Sequence, residues 1–124
     1  MAKVEAPYTA YFDRFCAALS SSGALLVSLD EQGRPNAMTI GWGLLGITWD
    51  LPVCAVFVRP SRYTWGCVEA TGDFTVNLPT PDLADDVLFC GAESGRDYDK
   101  FAECGFTPTP GQQVKSPGIA DCPL

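Results

Sequence analysis

The chain has 124 residues, of which 47% are hydrophobic and 11% aromatic, so it can form one domain with a single core and is not a disordered protein. Its net charge of −7 argues against a general nucleic-acid or anionic-membrane surface, because such partners need clustered cations. We therefore expect residues 1–124 to form one domain that binds neither nucleic acid nor membrane.

The first predicted element is an amphipathic helix. Apolar and aromatic side chains recur from Tyr8 to Leu19 at three- and four-residue steps, which is the period of one helical face. A run of serines followed by Gly23 is expected to end this helix. Residues 24–29 then predict a strand, and residues 30–35 predict a turn.

Two further strands and a helix are predicted in the middle of the chain. Residues 36–49 form the second predicted strand, which three glycines are expected to break or bulge. Residues 53–58 are continuously apolar and predict a strand that is buried on both faces. Ser61 is expected to cap a helix that Gly72 ends.

The last predicted elements are shorter. Residues 73–78 predict a strand that the following prolines stop, and residues 82–90 and 97–104 predict two short helices. Beyond Gly105 the chain is rich in proline and glycine and has no strong period. Antiparallel strands with helices attached at the edges indicate an α+β fold that is mainly antiparallel β, in the form of a barrel.

The cysteines exclude several kinds of site. There are six of them, at Cys16, Cys54, Cys67, Cys90, Cys104 and Cys122. They form no Cys-x-x-Cys pair and the chain has no histidine, so most zinc sites and all histidine-assisted nucleophiles are excluded. We expect most of these cysteines to be reduced, buried and small hydrophobic residues in the core.

The sequence predicts a cytoplasmic protein. The longest apolar run, Leu51–Val58, contains a proline and is far too short to span a bilayer. The N-terminal residues carry charge at Lys3 and Glu5 and have no apolar signal core.

Two short segments could hold a phosphate. Half of the eight Lys and Arg residues fall in them, at Arg59, Arg62, Arg96 and Lys100. A helix that begins near Ser61 would present free amide groups to an anion. The alternative is an ordinary capped helix with solvated arginines and a surface lysine. For Trp42 and Trp49, a place in the core is the more common outcome than contact with a cofactor.

Four motifs, in this order, resemble the flavin reductase-like family of FMN-binding split barrels, which includes the flavoredoxins. The matching residues are Asn36, Met38, Thr39 and Trp42; Arg59, Ser61, Arg62 and Thr64; Phe74, Val76, Asn77 and Pro79; and Ser94, Gly95, Asp99, Lys100 and Phe101. The resemblance covers roughly residues 23–110. It implies a split barrel with peripheral helices.

The resemblance also implies a cofactor and its contacts. FMN would lie with its ring against Asn36, Met38, Thr39 and Ile40. Its phosphate would be bound by Arg59, Ser61, Arg62, Thr64 and Lys100, and Asn77 would orient the loop beside the ribityl chain. No side chain is expected to act as a catalytic acid or base, because the redox chemistry belongs to the flavin.

The implied activity is electron transfer from NAD(P)H through FMN to a free flavin or a protein acceptor. Two alternatives stay open: an FMN-binding electron carrier without NAD(P)H turnover, and a non-enzymatic split-barrel binding domain. Family members usually run about fifty or more residues further, so the C-terminal part of the family domain is expected to be missing, either because the chain is truncated or because it is a shortened family member. Open strand edges then favour a homodimer with flavin near its interface.

Overall fold

The computed structural model describes residues 3–124. Its main elements, in chain order, are α1 (Phe12–Ser20), β1 (Ala24–Leu29), β2 (Pro35–Ile40), β3 (Gly43–Thr48), β4 (Leu51–Val56), α2 (Tyr63–Thr71), β5 (Thr75–Asn77), α3 (Ala84–Ala92), α4 (Lys100–Cys104), β6 (Pro108–Thr109) and β7 (Gly118–Ile119). A single 3₁₀ turn, Pro81–Leu83, precedes α3. Within these residues no helix is long and apolar enough to cross a membrane.

The central sheet has three antiparallel strands in the order β2-β1-β5. Strand β1 occupies the middle, so Leu26 pairs with Met38 on one side and with Val76 on the other. The turn between β1 and β2 is fixed by Asp30, whose carboxylate accepts the backbone N–H groups of Gln32 and Arg34, both at 2.9 Å. The predicted strand over residues 24–29 is confirmed with the same bounds.

The predicted strand over residues 36–49 is broken at Gly41 and Trp42 into two strands, β2 and β3, as its glycines suggested. Strand β3 pairs with β4 in a separate antiparallel hairpin. Its two-residue turn places Trp49 and Asp50 at positive φ, 54° and 59°, as a tight hairpin turn with the right twist requires.

The expectation that residues 53–58 are buried on both faces is wrong. Within this range Val53 is 39% and Phe57 is 51% exposed, so one face of the segment is open to solvent. The expectation for the two tryptophans is also wrong, because Trp42 is 67% and Trp49 is 92% exposed. Apolar composition alone cannot tell a strand covered on both faces from one that is covered on one face only.

Each face of the central sheet packs against its own core. On one face, Leu25 and Val27 contact residues of α3 and α4, including Val87 and Phe101. On the other face, Leu26, Met38 and Ile40 pack with Phe15 of α1 and with half-buried residues of the β3–β4 hairpin. The alternation along β1 and β2 sends successive side chains to opposite cores.

The short strands β6 and β7 were not predicted, since each is only two residues long. Strand β7 lies beside β5, and the side chains of Asp73 and Asn77 bind this C-terminal segment through Ser116 and Ile119. The expected Ser61 cap is also wrong: Arg62 is the residue at the N-cap of α2, and no side-chain hydrogen bond caps the helix.

Candidate functional site

A polar cavity lies between the start of α2 and the segment that links α3 to α4. It encloses about 200 Å³. The sequence-predicted site residues that line it are Met38, Ser61, Arg62, Thr64 and Lys100. A second cavity of about 160 Å³ adjoins it and shares Tyr63, Gly95, Arg96 and Lys100 as walls. Asn36 lines this second cavity.

Lys100 is one of the four residues that both cavities share, and it is a buried lysine. Its side chain is only 3% exposed, and its Nζ donates to the backbone carbonyl of Cys90 at 2.7 Å. Burial lowers the pKa of Lys100, and the charge of Arg62 acts in the same direction. The only ion pair within residues 3–124 joins Arg34 to Asp30, so no carboxylate lies at ion-pair distance from Lys100 there. Glu93, which lines the same cavity, acts on the Lys100 pKa in the opposite direction to burial, but more weakly.

An ammonium group has three N–H donors, and in the described part of the chain only Cys90 accepts one from Lys100. A buried cation with spare donors and no carboxylate at ion-pair distance is costly unless an anion can reach it. Lys100 lines the cavity, which offers that anion a place.

Arg62 brings a second cation to the same cavity. As N-cap of α2 it stands where the first amide N–H groups of the helix have no partner within the helix and where the helix dipole is positive. Its guanidinium donates to the carbonyl of Gly91 at 3.3 Å, which ties it to the end of α3. The cavity therefore combines two cations with a helix N-terminus.

Thr64 and Asn36 contribute polar groups from inside the fold. Both side chains are buried, and the Asn36 Nδ2 group donates to Thr64 Oγ1 at 2.8 Å. Because the threonine oxygen accepts this bond, its own O–H is available to donate to an anion in the cavity.

The other predicted site residues are placed elsewhere. Arg59 is exposed and lines neither of the two cavities. The Thr39 hydroxyl donates to the carbonyl of Val87, and Ile40 packs in the core with Phe15.

Asn77 is also outside the cavities, and its amide is used by the fold. Its Oδ1 accepts the N–H of Ile119 at 3.0 Å, and its Nδ2 donates to the carbonyl of Leu25 at 3.3 Å. The cofactor-binding roles expected for Thr39, Ile40, Arg59 and Asn77 stay predictions.

Several cavity residues were not among the predicted site residues. The Arg96 guanidinium lies over the Tyr63 ring at 5.5 Å from its centroid, and the two side chains form part of the wall of both cavities. Gly95 lies against them so closely that a Cβ there would collide with Asn36 Oδ1 and the Tyr63 ring. The Ser94-Gly95-Arg96 sequence was the available signal, since glycine often marks a close backbone approach.

Residues 17–124 match the family model described as flavin reductase like domain. A curated protein of Archaeoglobus fulgidus, described as uncharacterized, is 32% identical over 89 residues, which cover 72% of this chain and 50% of that protein. Across the curated relatives the match covers between 37% and 54% of the relative, so the chain spans about half their length or less.

Several solved structures of flavoredoxins and flavin reductase-like proteins superpose on this chain. The flavoredoxin of Desulfovibrio vulgaris (Miyazaki F) superposes with a TM-score of 0.74 at 32% identity, over 79% of this chain and 53% of that one. The flavoredoxin from Methanosarcina acetivorans gives 0.71 at 29% identity, over 80% and 51%. An FMN-binding domain of a flavin reductases-like enzyme from Shewanella baltica OS155 gives 0.71 at 24% identity, over 98% and 60%. The predicted split barrel with peripheral helices is thereby confirmed.

Proposed function

Because the chain belongs to the flavin reductase like domain family, we propose that it is an FMN-dependent oxidoreductase whose flavin phosphate lies in the cavity between α2 and Lys100. The family supports a flavin-related oxidoreductase role. We propose in addition that NAD(P)H supplies the electrons and that a free flavin or a redox protein receives them. The observation that carries the assignment is the buried Lys100 ammonium, which shares the cavity with Arg62 and has no carboxylate at ion-pair distance within the described residues.

The residues present fit a phosphate. A phosphate monoester carries about −1.5 to −2 charges and three strong acceptor oxygens. Lys100 and Arg62 would balance that charge, while the Thr64 hydroxyl and the first amides of α2 would supply further donors. Tyr63 and Arg96 would close the outer side.

The ring of the cofactor would extend along β2. Met38, which is buried and lines the cavity, offers an apolar contact on this path, and Asn36 offers an amide in the adjoining cavity. Bound FMN supplies the hydride and electron chemistry. The chain's own residues bind the phosphate and position the ring.

The experiment that tests this function is a flavin and turnover assay on the purified protein. We expect the protein to bind FMN and to oxidise NADH or NADPH faster when free FMN is added. Protein that binds FMN but does not turn over NAD(P)H would be an electron carrier, as the flavoredoxin neighbours would allow. Protein that binds no FMN would contradict the proposal.

We further propose that the protein is a homodimer. The β3–β4 hairpin and its flanks expose six large apolar side chains, namely Trp42, Leu44, Ile47, Trp49, Leu51 and Phe57. Leu44 and Leu51 lie on the same face of the hairpin. Large apolar patches on soluble proteins mark interaction surfaces, and a symmetric dimer is the commonest way to cover one. The hairpin continues from β2, so the cofactor site would lie near the subunit interface.

A further inference from the structure

Two free thiols, Cys90 and Cys104, lie close together at the two ends of the segment that lines the polar cavity. Cys90 lies in the last turn of α3 and Cys104 is the last residue of α4. Their Sγ atoms are 3.9 Å apart. A disulfide bond is about 2.0 Å long, so a movement of about 2 Å would bring the two sulfur atoms to bonding distance.

The chain between these cysteines forms one wall of the site. Residues 91–100 supply more than half of the residues that line each of the two cavities. Cys90 also holds Lys100 directly, since its carbonyl accepts the Lys100 Nζ bond, and the neighbouring Gly91 carbonyl accepts from Arg62. A covalent link between Cys90 and Cys104 would therefore close a loop around this wall.

We propose that Cys90 and Cys104 form a reversible disulfide that tethers the wall of the anion cavity and slows exchange of the ligand bound there. The effect on ligand exchange rests on the proposed FMN site, whereas formation of the disulfide does not. Closing a loop removes open conformations of the segment inside it, and ligand release needs such openings.

A disulfide compound such as oxidised glutathione is the oxidant. Cys104 is half-buried and Cys90 fully buried, so Cys104 meets the oxidant first. Its thiolate attacks one sulfur of glutathione disulfide and expels one glutathione thiolate, which gives a mixed disulfide. The Cys90 thiolate then attacks the Cys104 sulfur and expels the second glutathione. Two cysteine thiols are oxidised, one disulfide is reduced, and the two glutathione thiolates take up the two protons.

The environment of the pair makes this exchange slow at neutral pH. Burial raises the pKa of Cys104 to about 12, and the neighbouring Cys90 and Asp86 act in the same direction. Burial also raises the pKa of Cys90, while Cys104 and Lys100 oppose that rise. Since the thiolate is the reactive form, the reaction is best followed in alkaline buffer.

The test treats the full chain with oxidised glutathione and maps peptides without reduction. We expect a mass loss of two hydrogens, a Cys90–Cys104 cross-link that dithiothreitol reverses, and slower amide hydrogen exchange over residues 91–99. FMN dissociation should slow by about threefold or more. Cys104→Ser should abolish all of these changes, and Cys16→Ser, which alters an exposed cysteine of α1, should abolish none.

The outcomes separate the two proposals. A protein that forms no Cys90–Cys104 cross-link, or whose hydrogen exchange over residues 91–99 is the same after cross-linking, overturns the tether. Cross-linking with slower hydrogen exchange but no FMN binding in either redox state supports the tether and overturns the proposed function. Cross-linking with unchanged FMN dissociation overturns the link between redox state and ligand exchange.

Discussion

At the scale of single residues, Lys100 decides what the cavity can hold. A lysine that is 3% exposed and has no carboxylate at ion-pair distance in the described chain is stabilised by one carbonyl bond, by the more distant charge of Glu93 and by any anion that enters the cavity. Arg62 cannot be its counter-ion, because it carries the same charge. The two positive charges of Lys100 and Arg62 therefore favour a ligand with at least two negative charges over a neutral one.

The lowered pKa of Lys100 makes anion binding sensitive to alkaline pH. Burial is the largest cause, and it places the pKa below the ordinary value of 10.5. The ammonium is charged below that pKa and neutral above it. Phosphate affinity should therefore be constant from about pH 7, where the phosphate is mostly doubly ionised, up to that pKa, and should fall as pH rises through it. A bound phosphate favours the charged form, so the fall should come at a higher pH in the complex than in the free protein.

Fluorescence titration with FMN over an alkaline pH series, at fixed ionic strength, measures this fall. The groups facing Lys100 are Arg62, Glu93 and the two thiols Cys90 and Cys104. Lys100→Arg keeps its charge over the whole range and should flatten the profile. The same alkaline fall in Lys100→Arg as in the original protein would show that another group controls it.

At the scale of elements, Asn77 joins the central sheet to the C-terminal segment. Its side chain satisfies the N–H of Ile119 on β7 and bonds the carbonyl of Leu25 on β1, and it is buried. Asn77→Ala leaves these groups unpaired in the interior. We expect a loss of about 1–3 kcal/mol in the free energy of unfolding, measured by urea denaturation.

The same variant also tests the cofactor role that the family resemblance implies for Asn77. FMN affinity of the folded Asn77→Ala protein should stay within a few-fold of the original, because the side chain lies outside both cavities. Gln112→Ala, which removes an exposed amide, is the control. An unchanged unfolding free energy together with a large loss of FMN affinity would assign Asn77 to the cofactor instead.

Some elements and site residues could be predicted from the sequence, and others could not. The strand over residues 24–29 was predictable because its apolar run lies between clear breakers, and Lys100, Arg62 and Thr64 were found through motifs. Burial of β4 could not be predicted, since it depends on which element covers each face. Strands β6 and β7 could not be predicted either, because they are fixed by long-range bonds from Asp73 and Asn77 rather than by local pattern.

At the scale of the whole molecule, the exposed β3–β4 hairpin should control assembly. Light scattering at micromolar concentration should report a dimer, because a dimer interface would bury this apolar surface. Leu44→Glu, which places a charge on the hairpin, should give a monomer. Leu88→Glu makes the same change at an exposed position of α3 and should stay dimeric. A monomeric original protein that still binds FMN would contradict the proposed dimer.

The central claim is that the cavity between α2 and Lys100 binds the phosphate of FMN, and a comparison of FMN with riboflavin tests it most directly. Charge-assisted bonds contribute roughly 1.5–3 kcal/mol each, so Arg62→Ala combined with Lys100→Ala should weaken FMN binding by about 100-fold or more. Riboflavin lacks the phosphate, so its affinity should be the same in both proteins. Arg14→Ala with Lys115→Ala removes two exposed cations elsewhere and should change neither affinity. FMN binding that survives in the Arg62→Ala/Lys100→Ala protein, or riboflavin binding that falls in parallel, would contradict the claim.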